Sequence, residues 1–195
     1  RGRLADRWLD KLERTWASFG RTEVMSHHAW HLFKVRPNNS PLRRLVAMSY
    51  LLLRYRQEGI LAAVVNMIKE APSDQGHRRL AEGLVVTTDG YWANHFDFGS
   101  GSRIRSPTLL GSGRVADITV NVLLPFTFAW SQFTSQPELA SKAVDLYQSY
   151  SRLPANSVER HMMIQFGLTN RLVNSAQRQQ GLIHIYQTLC TQGGC

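Results

Sequence analysis

The sequence predicts an all-α fold: a single domain of about eight helices packed around an apolar central helix. Three observations predict it. Apolar residues recur at helical spacing along much of the chain, helix start and stop signals punctuate those stretches, and residues 114–133 are apolar almost all round. With 195 residues, 43% of them hydrophobic, the chain can bury enough apolar surface to offset the entropy of ordering it.

Leu4, Trp8, Leu12 and Trp16 recur every fourth residue, with Asp6, Asp10, Glu13 and Arg14 between them. This predicts an amphipathic first helix. Ser40-Pro41 supplies an N-cap followed by proline at the first helical position. The helix from Leu42 to Glu58 should bury a stripe of Leu45, Met48, Leu52 and Tyr55, and Gly59 should break it. Ile60 to Glu70 then forms a helix stopped by Pro72. Arg78 to Val86 and Tyr91 to Phe96 are shorter helical pieces. Residues 97–113, rich in glycine and serine, form the one long loop. Arg114 to Phe133 is the expected central helix, buried and kinked near Pro125. Pro137 opens a helix to Tyr150. Asn156 with Glu159, and Asn174 with Gln177, resemble capping boxes that start the last two helices.

The longest nearly apolar run, Ile118 to Trp130, is interrupted by Asn121 and Pro125 and falls short of a bilayer span. The two cysteines, Cys190 and Cys195, both lie in the last six residues rather than spread as a disulfide framework. A cytoplasmic protein without a membrane segment is expected, with two free thiols. The start at Arg1 and the end at Cys195 are expected to be cut points within a longer protein, its N-terminal portion absent. The formal charge is +9, and 19 of the 23 basic residues are arginine. Guanidinium forks suit phosphate, so the field favours polyanions.

His27, His28 and His31 form a cluster in which the first and last would share a helical face. No carboxylate or cysteine accompanies them at zinc-site spacing, so packing or capping is the expected role. Cys190 and Cys195 supply at most two of about four ligands that a metal site needs, a partial site completed only by residues beyond the chain. Neither metal nor cofactor is expected here. Asp117, Asn121 and Arg114 share one face of the apolar helix, and with His161 they are candidates for a buried polar network. Arg178, Gln179 and His184 place amide, guanidinium and imidazole on the last helix, groups suited to phosphates or base edges. No Walker, Rossmann or nucleophile-elbow signature occurs.

Three stretches carry a family resemblance: Trp30 to Asn39 (WHLFKVRPNN), Asp117 to Pro125 (DITVNVLLP) and Asn174 to Ile183 (NSAQRQQGLI). In this order they resemble the bacterial family of unknown function designated DUF2851. The resemblance extends over nearly the whole chain and is to the C-terminal portion of longer members. It implies cytoplasmic bacterial proteins without an assigned activity. It also implies a cysteine-rich tail, in which Cys190 and Cys195 match the first two positions. The N-terminal portion that such members carry has an acidic-plus-histidine motif that looks loosely nuclease-like; beside a nuclease, this helical part would supply the basic surface that holds substrate.

Three functions follow as expectations. The leading one is a helical accessory domain that binds a polyanion such as nucleic acid through Arg36, Asn38, Arg114, Arg171, Arg178, Gln179 and His184. The second is an interaction module that packs on the absent N-terminal portion or self-associates as a homo-oligomer. The third is an enzyme with a polar pocket around Asp117, Asn121, His161 and His184. It requires those groups to converge in a cleft with shifted pKa values. This stretch alone is expected not to be an enzyme.

Overall fold

The computed structural model describes residues 7–20, 24–29, 39–72, 75–98, 100–101 and 105–194. These are mostly helical: α1 (Arg7–Ser18), α2 (Pro41–Arg54), α3 (Ile60–Glu70), α4 (Gly76–Leu84), α5 (Ser112–Ile118), α6 (Leu124–Phe133), α7 (Pro137–Ser149), α8 (Ser157–Gln165) and α9 (Ala176–Ile185). Four short strands qualify the all-helical expectation: β1 (Val86–Thr87), β2 (His95–Asp97), β3 (Ser100–Gly101) and β4 (Thr108–Leu110). β1 pairs with β4 and β2 with β3, both antiparallel. The chain divides into two compact units, Arg1–Arg54 with Val86–Leu110, and Tyr55–Val85 with Gly111–Cys195.

In the first unit, Ser40 caps α2 as its sequence predicts, its hydroxyl accepting the Arg43 N–H at 3.3 Å. The rotation of α2 is another matter. Leu45, Met48 and Leu52 are about half exposed or more, while Arg43, Ala47 and Leu51 are buried. Arg43 dictates this. Its Nη1 donates to the carbonyls of Trp92 and His95 at 2.7 and 2.8 Å, and its Nη2 to those of Ser106 and Thr108 at 2.8 and 3.2 Å. A carbonyl inside an α-helix is already used by the N–H four residues on. Four carbonyls offered to one guanidinium therefore demand non-helical backbone, and the stretch expected to be a helix from Tyr91 to Phe96 is instead a 3-10 turn, Tyr91–Ala93, leading into β2. α2 packs against β1, β2 and β4.

In the second unit α6 lies along α7, α3 touches α4 and α7, and α4 touches α5. Ile68, Leu80, Val115, Leu124, Leu139 and Leu146 are buried there. Gly59, at φ +82°, breaks the chain before α3 in the left-handed region that a side chain disfavours. Between α5 and α6, Thr119–Leu123 widens into a π turn. Pro125 explains it: proline has no N–H for the carbonyl four residues back and its ring collides with it, and a locally wider helix relieves both.

The expected all-round burial of residues 114–133 is corrected to burial of one face. Thr119, Val120, Leu124, Thr127 and Ser131 are buried, whereas Val122, Phe126, Phe128 and Phe133 are exposed. α7 packs along α6 and buries its own small residues Ala140 and Ala143.

Candidate functional site

From Ser151 to Cys195 the chain carries Arg152, Arg160, Arg171 and Arg178 against one acidic residue, Glu159. α8 and α9 pack on each other over Met162, Val173 and Leu182. Asn156 caps α8, its Oδ1 accepting the Glu159 N–H at 2.8 Å, as expected. α9 starts one residue later than expected: Ser175 rather than Asn174 is the cap, and its Oγ accepts the Arg178 N–H at 3.3 Å. Asn174 instead accepts from the Arg178 guanidinium, which also donates to the Leu172 carbonyl at 2.7 Å.

Glu159 is wholly buried, and one of its oxygens accepts both Nε and Nη2 of Arg152, at 3.1 and 2.8 Å. Its other oxygen accepts Nε2 of Gln179 at 2.8 Å. A buried carboxylate needs such partners, since its desolvation is otherwise prohibitive. The one acid of the segment is thus turned inward and neutralised. Arg160, Arg171 and Arg178 remain exposed.

An open cavity of about 860 Å³ sits at this end, between the 152–155 connector, α8 and the turn that follows it. Arg152, Arg160 and Asn170 supply polar groups; Pro154, Met163, Ile164 and Leu168 supply apolar wall. Arg160, Met163 and Ile164 share one face of α8 by their spacing. Gly167, at φ +61°, turns the chain back: its N–H meets the Ile164 carbonyl at 3.3 Å and the Leu168 N–H meets that of Met163 at 2.8 Å. Arg152 Nη1 donates to Asn170 Oδ1, and Arg160 Nη1 to the Ala155 carbonyl at 3.2 Å, which steadies both cations at the cavity.

The residues singled out from sequence fall in different places. Arg171 and Arg178 belong to this end, on the turn before α9 and on α9 itself. Gln179 does too, but it is 3% exposed and bound to protein groups, a correction to its expected role as a surface ligand. Arg114 lies on α5, paired with Asp117 at 3.3 Å. Asn121 is exposed and donates to the Asp117 carbonyl at 2.8 Å, and His161 is exposed, its ring edge-on to Tyr186. No buried network joins those three; the π turn that precedes Pro125 carries Asn121 to the outer side. His184 is exposed on α9, its carbonyl accepting Thr188 Oγ1. None of Asp117, Asn121, His161 and His184 lines the cavity. Arg36, Asn38, His31 and Cys195 lie outside the described residues. Cys190 is disulfide-bonded, contrary to the expected free thiol. Among the described residues no cluster of three metal-ligating side chains occurs, and no helix is long and apolar enough to cross a membrane.

Sequence reasoning missed Arg152, Arg160 and Asn170. The scarcity of acid after residue 150 is the one signal, and it does not reveal that Glu159 is buried against Arg152. One arrangement resembles a nucleophile and base. Ser149 Oγ lies 3.4 Å from His77 Nε2, but that nitrogen is 2.9 Å from the Leu146 carbonyl oxygen, which only accepts. Nε2 therefore carries the proton and cannot take one from Ser149.

The family model described as a protein of unknown function, DUF2851, matches residues 4–155. That span includes the first two stretches that carry the resemblance, while Asn174 to Ile183 lies beyond it, as do Arg160, Arg171 and Arg178. No curated protein and no solved structure matches the chain.

Proposed function

The chain belongs to the DUF2851 family of proteins of unknown function, and we propose that it is an anion-binding helical module whose α8–α9 end contacts the phosphate backbone of a nucleic acid. One observation carries this reading: four arginines stand there against one carboxylate, and that carboxylate is buried and bound to Arg152. Exposed guanidinium groups without acidic neighbours attract a polyanion and release its counterions, so binding should weaken steeply with salt.

Fluorescence anisotropy with a labelled oligonucleotide, titrated at rising salt, tests the reading. The triple variant Arg160→Ala, Arg171→Ala, Arg178→Ala should lower the log–log salt slope by about 0.7–0.9 for each phosphate it no longer neutralises. Removing equal charge at Arg14, Arg44 and Arg56 should change little. Undetectable binding at low salt, or equal weakening by both triple variants, removes the reading.

A second reading, pairing with another copy of the chain, has its own support. Phe126, Trp130 and Phe133 form a row on α6 with successive ring centroids 6.3 and 6.0 Å apart, and Phe133 is 83% exposed. No charged residue occurs from Ile118 to Pro137. In a chain of charge +9, this is a surface on which two copies meet without opposing like charges. Sedimentation velocity decides: a concentration-dependent dimer abolished by Phe133→Ser supports it, and a monomer throughout ends it.

A further inference from the structure

We infer that the α8–α9 end selects single-stranded over duplex nucleic acid by receiving an unpaired base in the cavity beside Arg160. The inference rests on the anion-binding reading above and names the substrate class of that same site. Phosphate alone explains the arginines but not the wall between them. Pro154, Met163, Ile164 and Leu168 line the cavity, and Ile164 leaves 79% of its surface in water. A duplex offers phosphates and groove edges while its base faces stay stacked, so it covers none of that apolar surface. An unpaired base brings a flat apolar face that does.

The polar groups at the rim suit such a ligand. The Arg152 guanidinium is held in place by Glu159 on one side and Asn170 on the other, with Nη2 3.7 Å from the Met163 sulfur. About a quarter of that side chain stays exposed, a planar cation fixed at the cavity wall, and guanidinium planes stack on bases. Because Asn170 Oδ1 accepts from Arg152, the amide's NH2 group is the half left for an acceptor on a base edge. Arg160 and Arg171 then take the phosphates on either side of the inserted nucleotide.

The test uses the whole chain and three labelled probes of equal phosphate number: a single strand, a blunt duplex, and a single strand carrying abasic sites. The intact strand should bind about tenfold more tightly than the abasic one, the scale of one buried base face. It should also bind more tightly than the duplex. Ile164→Ser should weaken the intact strand alone and leave the salt slope unchanged; the position is exposed, so folding is spared. DNA and RNA versions of the strand separate the two sources of the ligand, and preference for either is consistent with the inference. Equal affinity for intact and abasic strands, or a duplex bound as tightly as the strand, overturns the inference and leaves the anion-binding reading standing. Absence of salt-sensitive binding to every probe overturns both.

Discussion

The side-chain amide of Gln179 grips the backbone of Leu153 from both sides, accepting its N–H at 2.7 Å and donating to its carbonyl at 2.8 Å. Its nitrogen also serves Glu159, so one amide joins α9, the 152–155 connector and α8. That connector forms a wall of the cavity and carries Arg152. Gln179→Ala would leave three buried groups short of a partner. A destabilisation of about 3 kcal/mol is expected, since each unmet buried group costs about 1–3 kcal/mol. Gln179→Glu should be worse, because it cannot donate to Leu153 and sets a second carboxylate against Glu159. Urea denaturation of the two variants measures the order; an alanine variant within about 0.5 kcal/mol of the parent refutes the role.

Arg43 makes a parallel case in the first unit. It is fully buried and gives its two Nη groups to four backbone carbonyls without a carboxylate, its Nε left without a hydrogen-bond partner, and burial holds its pKa below the usual arginine value. Lysine has three donors on one nitrogen and cannot span acceptors that a planar fork reaches. Arg43→Lys should cost about 2 kcal/mol and Arg43→Met about 4 kcal/mol, the latter leaving the carbonyls unmet. Hydrogen exchange at the β1–β4 ladder should rise in the same order. Unchanged protection at Val86 and Leu110 would show that Arg43 does not hold the strands.

These two residues show where the sequence was legible and where it was not. α3, α7 and the Asn156 cap follow from local signals: a glycine break, a proline start, a capping oxygen three residues before its donor. Arg43 and Gln179 defeat such signals, because both look like solvated residues until distant carbonyls and carboxylates gather round them. Once Arg43 turns inward, α2 rotates with it, and the Leu45, Met48 and Leu52 stripe goes outward. Arg171 and Arg178 were legible through charge alone. Arg152 and Arg160 were not, because their meaning depends on Glu159 being buried, which no spacing rule reveals.

Two glycines make opposite predictions for the same substitution. Gly181 lies inside α9, exposed, with nothing within 4 Å of where a Cβ would stand. Gly181→Ala should stabilise by about 0.5–1 kcal/mol through reduced backbone entropy of the unfolded chain. Gly76 is buried at the start of α4, and a Cβ there would collide with the Leu146 side chain, itself buried. Gly76→Ala should destabilise by about 1–3 kcal/mol, the usual cost of overpacking. Thermal melts of the pair should move in opposite directions; shifts of the same sign would contradict the packing of α4 on α7.

Alkaline pH probes the second unit through its tyrosines. Burial raises the phenol pKa of Tyr150 and likewise that of Tyr147. The folded chain therefore holds those protons more tightly than the unfolded chain, whose phenols titrate near pH 10. Below about pH 10 both states are protonated and the contribution to stability is full and constant. Above it the unfolded chain loses protons first, so stability falls as pH rises toward the folded pKa values, by up to about 1.4 kcal/mol per pH unit for each group. Urea midpoints measured from about pH 8 to 11 should be level at first and then decline. In the double variant Tyr147→Phe, Tyr150→Phe that part of the decline should disappear, because phenylalanine has no proton to lose. An alkaline slope of equal steepness in parent and variant would assign it to other groups and reject the tyrosine account.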